Sequence, residues 1–252
     1  MIRAENIFKS FGSADVLKSI TADFKPGITN LIIGRSGAGK TVLLKILVGL
    51  TPASSGKIYY DKIDLFGLDK KAMRTLRLKV GMLFQGSALF DSLTTEQNIR
   101  FPLDMFTNMT KGEKQKRVDY CLERVNLNKA NAKFPSELSG GMQKRVGIAR
   151  SIVLEPKYLF CDEPNSGLDP ETSIVIDELI RDLTIENNIT TIINTHDMNS
   201  VMEIGDNIIF LHEGNLAWLG NRNEVLTSDN ELLQNFIFAS PFLQRLRKAA
   251  LK

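Results

Sequence analysis

The sequence has few cysteines, histidines and tryptophans: two, two and one among 252 residues. Cys121 and Cys161 are too few and too far apart to indicate a disulfide framework or a zinc site. No apolar run approaches the roughly 18–20 residues that a membrane span needs, and the first residues lack the apolar core of a signal peptide. These absences argue against a disulfide-stapled secreted domain, and we expect the chain to lie inside the cell.

An excess of charge of either sign is also absent. The 32 Lys and Arg residues nearly balance the 29 Asp and Glu residues, which leaves a net charge of +3. Composition therefore gives no reason to expect nucleic acid or a strongly anionic partner. What is present is ordinary for a globular protein, because 43% of the residues are hydrophobic and the chain is long enough to bury a sizeable core.

A glycine-rich stretch, Gly34–Thr41, fits the pattern G-x-x-x-x-G-K-[ST]. The apolar run Leu31–Ile33 precedes it as a buried strand would, and a helical pattern follows it to Val48. In this context the glycines let backbone N–H groups surround phosphate oxygens, and the helix adds its positive N-terminal dipole. Lys40 would reach the β- and γ-phosphates, and the Thr41 hydroxyl would ligate Mg²⁺. The alternative is a glycine-rich turn that matches by chance.

A second stretch runs from an apolar strand, Tyr158–Cys161, directly into Asp162 and Glu163. In a phosphate-loop enzyme the first carboxylate helps to hold Mg²⁺, and the second can polarise an attacking water. Adjacent side chains on a strand point to opposite faces, so the two acids need not share one role. The alternative is a strand that ends in a solvated acidic turn.

A third stretch, Leu138–Arg145, carries the letters LSGG at the start of a helical pattern. Ser139 is a natural N-cap, and Gly140 and Gly141 expose backbone N–H groups. This predicts a second anion-binding helix terminus. Because one chain rarely needs two γ-phosphate binders, we expect a composite site in which the loop of one copy faces Ser139 of another. The alternative is an ordinary capped helix.

These three stretches, in this order, resemble the ATP-binding subunit of an ABC transporter, and the resemblance covers about Ile2 to Asn221. It implies that Gln85 senses Mg²⁺ and contacts a membrane partner, that Ser166–Asp169 crosses a dimer interface, and that His196 contacts the γ-phosphate. His196 alone could equally be structural. Phe11 matches the residue that stacks on adenine, where the family more often has tyrosine, and it could equally be an ordinary strand-end aromatic.

The resemblance assigns each predicted site residue a role. Nucleotide contacts fall on Phe11, Gly34, Arg35, Ser36, Gly37, Ala38, Gly39, Lys40, Thr41, Val42, Ser139, Gly140, Gly141 and Asp169. Metal contacts fall on Thr41, Gln85 and Asp162, and catalytic roles on Lys40, Gln85, Glu163 and His196. The implied ligands are ATP and Mg²⁺, and the implied activity is ATP hydrolysis coupled to transport.

The resemblance also implies the fold: an α/β P-loop NTPase of the ABC ATPase class, with a RecA-like core, an antiparallel β-subdomain and an inserted helical subdomain. We assign the ATPase domain to residues 1–225, the helical subdomain within it to about 87–156, and a C-terminal helical extension to 226–252. Periodicity predicts the inserted helices and the later core strands. The helices are Asp91–Leu103, Lys111–Val125 and Gly141–Leu154, and the strands are Tyr158–Cys161, Thr190–Asn194 and Asn207–Leu211.

The stretch Leu83–Phe90, with the sequence LFQGSALF, predicts a groove for a helix of a membrane permease, because an exposed apolar patch usually marks a partner site. A packed hinge is a compatible alternative. Together with Phe101–Leu103 and Asp162–Pro170, this stretch resembles the ATPases of Mla-type systems, which move phospholipids with an MCE-domain partner. The resemblance implies a peripheral subunit at the cytoplasmic face of the bacterial inner membrane, without nucleic acid.

Three other functions remain open. An ABC ATPase for another cargo, such as amino acids or released lipoproteins, would share every catalytic residue. An ABC protein acting on DNA or ribosomes usually carries two ATPase units or a long coiled coil, and this chain has neither pattern. A P-loop kinase or GTPase would not need the LSGG stretch. The basic and apolar tail Phe236–Lys252 could pack on its own chain, clasp a second copy or touch anionic lipid.

Overall fold

The computed structural model describes residues 1–239. These residues divide into two compact units. The first comprises Met1–Phe24, Asn30–Phe66 and the described residues from Asn194 onward, and the second comprises Lys25–Thr29 and Gly67–Ile193. The predicted tail and C-terminal extension lie partly outside the described residues.

Ten strands and nine α-helices follow one another in the described chain. The strands are β1 (Ile2–Phe11), β2 (Ala14–Phe24), β3 (Thr29–Ile33), β4 (Ser55–Tyr60), β5 (Ile63–Asp64), β6 (Val80–Leu83), β7 (Tyr158–Asp162), β8 (Thr190–Asn194), β9 (Asn207–His212) and β10 (Asn215–Gly220). The helices are α1 (Lys40–Leu47), α2 (Lys70–Arg77), α3 (Thr95–Phe106), α4 (Lys111–Arg124), α5 (Gly140–Ile152), α6 (Pro170–Glu186), α7 (Met198–Ile204), α8 (Arg222–Val225) and α9 (Glu231–Ile237).

The first unit contains an antiparallel sheet of four strands in the order β2-β1-β4-β5. Buried and exposed residues alternate in the second half of β2, where Ile20, Ala22 and Phe24 are buried and Thr21 and Asp23 between them are exposed. This period of two is what a half-buried strand requires. The same unit holds β10, β9 and β3 side by side, with β3 parallel to β9 and β9 antiparallel to β10. All five residues of β3 are buried, as expected for a strand covered on both faces.

The second unit contains β8, β7 and β6 side by side, and β6 is parallel to β7. Strands β7 and β8 are buried along their whole length. Within the described chain only helices, turns and loops lie between Leu83 and Tyr158, as the sequence patterns predict. None of the helices among residues 1–239 is both long enough and apolar enough to cross a membrane.

The predicted start of the first inserted helix is wrong. Helix α3 begins at Thr95, four residues after the predicted start at Asp91. A capping box explains this, because the Thr94 side chain accepts from the backbone of Gln97 and the Gln97 side chain accepts from that of Thr94. The preceding turn is held by Asn98, whose side-chain amide donates to the carbonyls of Phe90, Leu93 and Thr94.

Candidate functional site

The phosphate loop lies in the first unit, between the end of β3 and the start of α1. Lys40 is buried, and its Nζ donates to the carbonyl oxygens of Gly34 at 2.9 Å and Arg35 at 3.2 Å. The lysine therefore reaches back over the loop that it follows and sets a positive charge there. The other predicted loop residues lie in the same loop or in the first turn of α1: Ser36, Gly37, Ala38, Gly39, Thr41 and Val42.

Two glycines of this loop cannot be replaced without moving the backbone. Gly34 has a φ of 147°, and a Cβ there would lie 2.3 Å from the carbonyl oxygen of Leu211. Gly39 has a φ of 98°, and a Cβ there would lie 2.7 Å from Leu17 Cδ2 and 2.9 Å from the Val16 carbonyl oxygen. Side chains rarely adopt such φ values, so the loop keeps its shape only with glycine. This is the close backbone approach that a phosphate cradle uses.

The Thr41 hydroxyl has a partner that the sequence did not predict. The Asn194 side chain, at the end of β8, donates from Nδ2 to Thr41 Oγ1 at 3.1 Å. The hydroxyl is thereby oriented at the start of α1, where the sequence predicts a Mg²⁺ ligand. The only available signal was the position of Asn194 at the carboxyl end of a buried strand, where α/β proteins gather ligand-binding side chains.

Phe11 and His196 also belong to the first unit. Phe11 ends β1 with an exposed ring, and Lys9 Nζ lies 4.7 Å from the ring centroid. An exposed aromatic face beside a cation suits a nucleobase that carries phosphates. His196 is exposed two residues beyond Asn194, in a segment anchored by the hydrogen bond from Thr195 N to the Ile32 carbonyl oxygen.

The predicted acids lie in the second unit, at the end of β7. Asp162 is the buried last residue of that strand. Glu163 follows with a φ of 49°, in the left-handed region. A residue other than glycine held there costs about 1–3 kcal/mol and persists only where its surroundings fix it. Two donors fix the Glu163 carbonyl oxygen: Ser166 N at 3.2 Å and Lys144 Nζ at 3.4 Å.

Gln85 and the Ser166–Asp169 loop are brought together in the second unit. Gln85 is exposed just beyond β6, and its Nε2 donates to Ser166 Oγ at 3.4 Å. Asp169 caps α6, accepting from Thr172 N at 2.9 Å and Thr172 Oγ1 at 2.7 Å. These hydrogen bonds, the one from the Thr172 hydroxyl above all, hold the pKa of Asp169 below its ordinary value.

The LSGG stretch forms the predicted helix start in the second unit. Ser139 is the N-cap of α5, and its hydroxyl accepts from Met142 N at 3.3 Å. Ser139 and Gly140 are exposed, Gly141 is buried, and the first turn contains no acidic residue. The first amides of this 13-residue helix therefore meet no carboxylate of their own turn, which suits an anion from outside.

The second unit also has an apolar groove of about 650 Å³ beside the Gln85 segment. Its aromatic lining comprises Phe84, Phe90, Phe101 and Phe106. Within the described chain, the residues around it include the cations Lys70, Arg74, Arg77 and Arg150 and no carboxylate. The Phe90 and Phe101 rings lie 4.8 Å apart, centroid to centroid, so the lining is a packed surface.

Comparison with known families narrows the open alternatives to the ABC transporter family. The family model described as "ABC transporter" matches residues 17–166. The chain belongs to the ABC transporter family. It is therefore an ATP-hydrolysing transporter ATPase that binds ATP with Mg²⁺, as the sequence predicts, and a P-loop kinase or GTPase is excluded. Among the described residues no three His, Cys, Asp or Glu side chains form a metal-binding group. The donor set fits Mg²⁺, which usually takes few protein ligands and binds substrate phosphates.

Three relatives span several named functions. The probable ribonucleotide transport ATP-binding protein mkl of Mycobacterium leprae is 37% identical over 236 residues, which are 94% of this chain and 68% of the relative. Protein TRIGALACTOSYLDIACYLGLYCEROL 3, chloroplastic, of Arabidopsis thaliana is 35% identical over 256 residues, covering 95% of this chain and 74% of the relative. The methionine import ATP-binding protein MetN of Corynebacterium diphtheriae is 37% identical over 230 residues, covering 90% of this chain and 67% of the relative.

Solved structures share the fold. The dimeric post-hydrolysis state of the ATP-binding cassette MJ0796, bound to ADP and Pi, matches with a TM-score of 0.79 and 32% identity over 88% of this chain and 99% of that one. Clostridium perfringens cbiO1, part of the ABC transporter complex cbiONQ, matches with a TM-score of 0.85 and 30% identity, covering 100% of this chain and 98% of that one. The predicted α/β ABC ATPase fold is thereby confirmed.

Proposed function

We propose that this ABC ATPase drives phospholipid transport across the bacterial cell envelope, as a homodimer held by a permease at the cytoplasmic face of the inner membrane. The observation that carries the permease partnership is the aromatic groove with its cationic surroundings next to Gln85. The domain assignment, residues 1–225 with a helical subdomain at about 87–156 and an extension at 226–252, belongs to this proposal.

In the proposed site, Lys40 and the loop amides bind the phosphates, and Phe11 stacks on the adenine. Mg²⁺, held through Thr41, Gln85 and Asp162, would offset the negative charge of the phosphates. The Glu163 carboxylate orients a water molecule for in-line attack, and His196 contacts the γ-phosphate. The hydrogen bond from Gln85 to Ser166 supports a shared role for these two loops.

Each nucleotide is proposed to lie between two copies of the chain. Lys40 and Thr41 of one copy and Ser139, Gly140 and Gly141 of the other would contact the same ATP, with Asp169 at the interface. The exposed start of α5, with no acidic residue in its first turn, supports this. The dimeric state of the similar cassette MJ0796 supports it as well.

The groove is proposed to receive a cytoplasmic helix of the permease. Its aromatic lining offers apolar contact area, and its four cations favour a helix that carries acidic residues. Phe84, Phe90 and Phe106 are each more than 40% exposed in this chain, as expected of a surface that a partner covers. An MCE-domain protein would complete the complex.

Phospholipid is the proposed cargo, supported by the sequence around Gln85 and by a relative whose name contains the glycolipid term trigalactosyldiacylglycerol. Methionine is the second candidate, because MetN is 37% identical. Reconstitution of the chain and its co-purified permease in proteoliposomes separates the two. ATP-dependent movement of labelled phospholipid, and not of labelled methionine, is the expected result. Movement of methionine alone would contradict the lipid proposal.

A further inference from the structure

Two lysines of the described chain are buried, Lys40 and Lys144. Lys40 belongs to the phosphate loop, whereas Lys144 lies in the second turn of α5 and is not among the predicted site residues. Lys144 is only 5% exposed, and burial lowers the pKa of its ammonium group below the ordinary value. Burying a cation is unfavourable unless hydrogen bonds replace its water, so the partners of this side chain indicate why it is there.

The Lys144 ammonium contacts the main chain of two predicted catalytic residues. Its Nζ donates to the carbonyl oxygen of Gln85 and, at 3.4 Å, to that of Glu163. Gln85 follows β6 by two residues, and Glu163 follows β7 by one. These strands are parallel neighbours, with Leu83 opposite Cys161, so both segments leave the same edge of the sheet. One cation therefore joins the segment next to the groove to the residue proposed to orient water.

Both of these segments have unfavourable backbone conformations. Glu163 has a φ of 49°, and Ser87 and Ala88, just after Gln85, have φ values of 59° and 47°. The same helix α5 holds the Ser87 and Ala88 carbonyl oxygens through Arg150, at 2.7 and 2.8 Å. Helix α5 thus contacts the Gln85–Ala88 segment with two cations, and only Lys144 also reaches Glu163.

We propose that Lys144 is a positioning residue for ATP hydrolysis, whose ammonium fixes the main chain at Gln85 and at Glu163 in one arrangement and passes movements at the groove to the attacking water. This rests on the proposed roles of Gln85 and Glu163. Lys144 would act through these two residues without contacting the nucleotide of its own chain. Its removal should therefore impair turnover while leaving nucleotide affinity nearly intact.

The neighbouring Arg145 provides a matched control. It lies on the same helix and also donates to two main-chain carbonyls, those of Val125 at 3.2 Å and Asn126 at 3.3 Å. Neither carbonyl belongs to a predicted site residue. Arg145→Met therefore removes a comparable pair of hydrogen bonds from α5, and any effect shared by both variants reports on folding alone.

The test uses the full-length chain purified with its membrane partner, comparing Lys144→Met, Lys144→Arg and Arg145→Met. Lys144→Met should lower kcat roughly tenfold to a hundredfold, as expected for the loss of hydrogen bonds from a charged donor. Its affinity for a non-hydrolysable ATP analogue should stay within about threefold of wild type. Lys144→Arg should restore most of kcat, and Arg145→Met should lower thermal stability without this loss of kcat.

Two outcomes would overturn the role of Lys144: a kcat for Lys144→Met equal to that of Arg145→Met, or a loss of analogue binding as large as the loss of kcat. If Lys144→Met does not yield folded complex, Lys144→Gln, which is shorter and uncharged, is measured by the same criteria. Glu163→Gln, assayed in parallel, keeps the two proposals distinct. If Glu163→Gln abolishes turnover while Lys144→Met does not, only Lys144 loses its role. If Glu163→Gln leaves turnover intact, the proposed catalytic site itself is wrong.

Discussion

The side-chain amide of Asn194 donates a 3.1 Å hydrogen bond to the hydroxyl of Thr41, a residue 153 positions earlier in the chain. The contact joins the end of β8 to the first turn of α1. It orients the one hydroxyl of the phosphate loop that is proposed to ligate Mg²⁺. The orientation of this proposed ligand thus depends on a side chain that no motif includes.

Removing this amide should weaken the binding of Mg²⁺-ATP. Asn194→Leu loses a hydrogen bond of about 1 kcal/mol, which corresponds to roughly a fivefold rise in KM for ATP at limiting Mg²⁺. Asn207→Leu is the control, because its amide donates to the Asp23 carbonyl oxygen and to Asn30 Oδ1 in the same unit, both at 2.9 Å. The control should lose stability and keep the wild-type Mg²⁺ titration. Equal Mg²⁺ titrations for all three proteins would remove Asn194 from the site.

The structural role of Ser139 and its proposed functional role should be separable by mutation. Ser139→Ala removes the N-cap of α5, and Thr110→Ala removes the capping-box threonine of α4. Each change should lower the free energy of unfolding by about 1 kcal/mol. Only Ser139→Ala should also lower ATP turnover, because only α5 is proposed to face a triphosphate. Chemical denaturation and steady-state kinetics measure the two effects, and equal turnover in the two variants would argue against a nucleotide contact at Ser139.

The two cysteines should be unreactive in the folded protein. Burial raises the pKa of Cys121 to about 11 from an ordinary 9.0, and it raises that of the fully buried Cys161 as well. A thiol reagent at pH 8 should therefore label neither residue before denaturant is added and both afterwards. Rapid labelling of the native chain would contradict the burial of these side chains.

The raised pKa of Cys121 also predicts how the stability of the protein changes with pH. Between pH 9 and about 11 the folded Cys121 keeps a proton that the unfolded chain releases, so its contribution to stability is complete below pH 9 and is lost as pH rises. At pH 10 the loss from this one thiol should be about 1.4 kcal/mol. Urea denaturation at pH 8 and pH 10 should show a smaller decrease for Cys121→Ala than for the wild type. The same decrease in both proteins would exclude the thiol as its source.

The groove should bind the permease through its aromatic lining. Phe101→Asp places a charge where Phe90 and Phe101 pack at 4.8 Å between ring centroids, and it should abolish co-purification of the membrane partner. Phe134, which is 42% exposed and outside the groove, provides the matched control Phe134→Asp. Nucleotide binding is assayed in parallel to show that each variant is folded. Retention of the permease by Phe101→Asp would place the partner elsewhere.

The contiguous parts of the site could be predicted from the sequence. The loop Gly34–Thr41 and the acids Asp162 and Glu163 were identifiable because strand, loop and helix signals adjoin them. Contacts between distant residues were not predictable. Asn194 looks like an ordinary strand end. Lys144 looks like a surface residue of an amphipathic helix, because its two carbonyl partners are distant in the sequence: Gln85 lies 59 positions earlier and Glu163 lies 19 positions later.

The sequence did not predict helix starts correctly where side-chain hydrogen bonds cap the helix. The polar residues at Asp91 suggested an early start for α3, but the reciprocal hydrogen bonds of Thr94 and Gln97 begin the helix at Thr95. Helix α2 was not predicted, because none of its residues is buried and its pattern carries no apolar stripe of useful length. Its start is nevertheless set by Asp69, whose carboxylate accepts from Ala72 N at 2.7 Å.

Lys40 of one copy and Ser139 of another are proposed to complete a single ATP site, and a mixing experiment distinguishes such a shared site from one within a single chain. Chains carrying Lys40→Met and chains carrying Ser139→Phe are given different tags, and mixed pairs are isolated with the membrane partner. A site shared between copies leaves one of the two sites in each mixed pair fully intact. We expect one tightly bound ATP per mixed pair and none in either parent, with hydrolysis above that of both parents. Mixed pairs as inactive and as empty as the parents would contradict it.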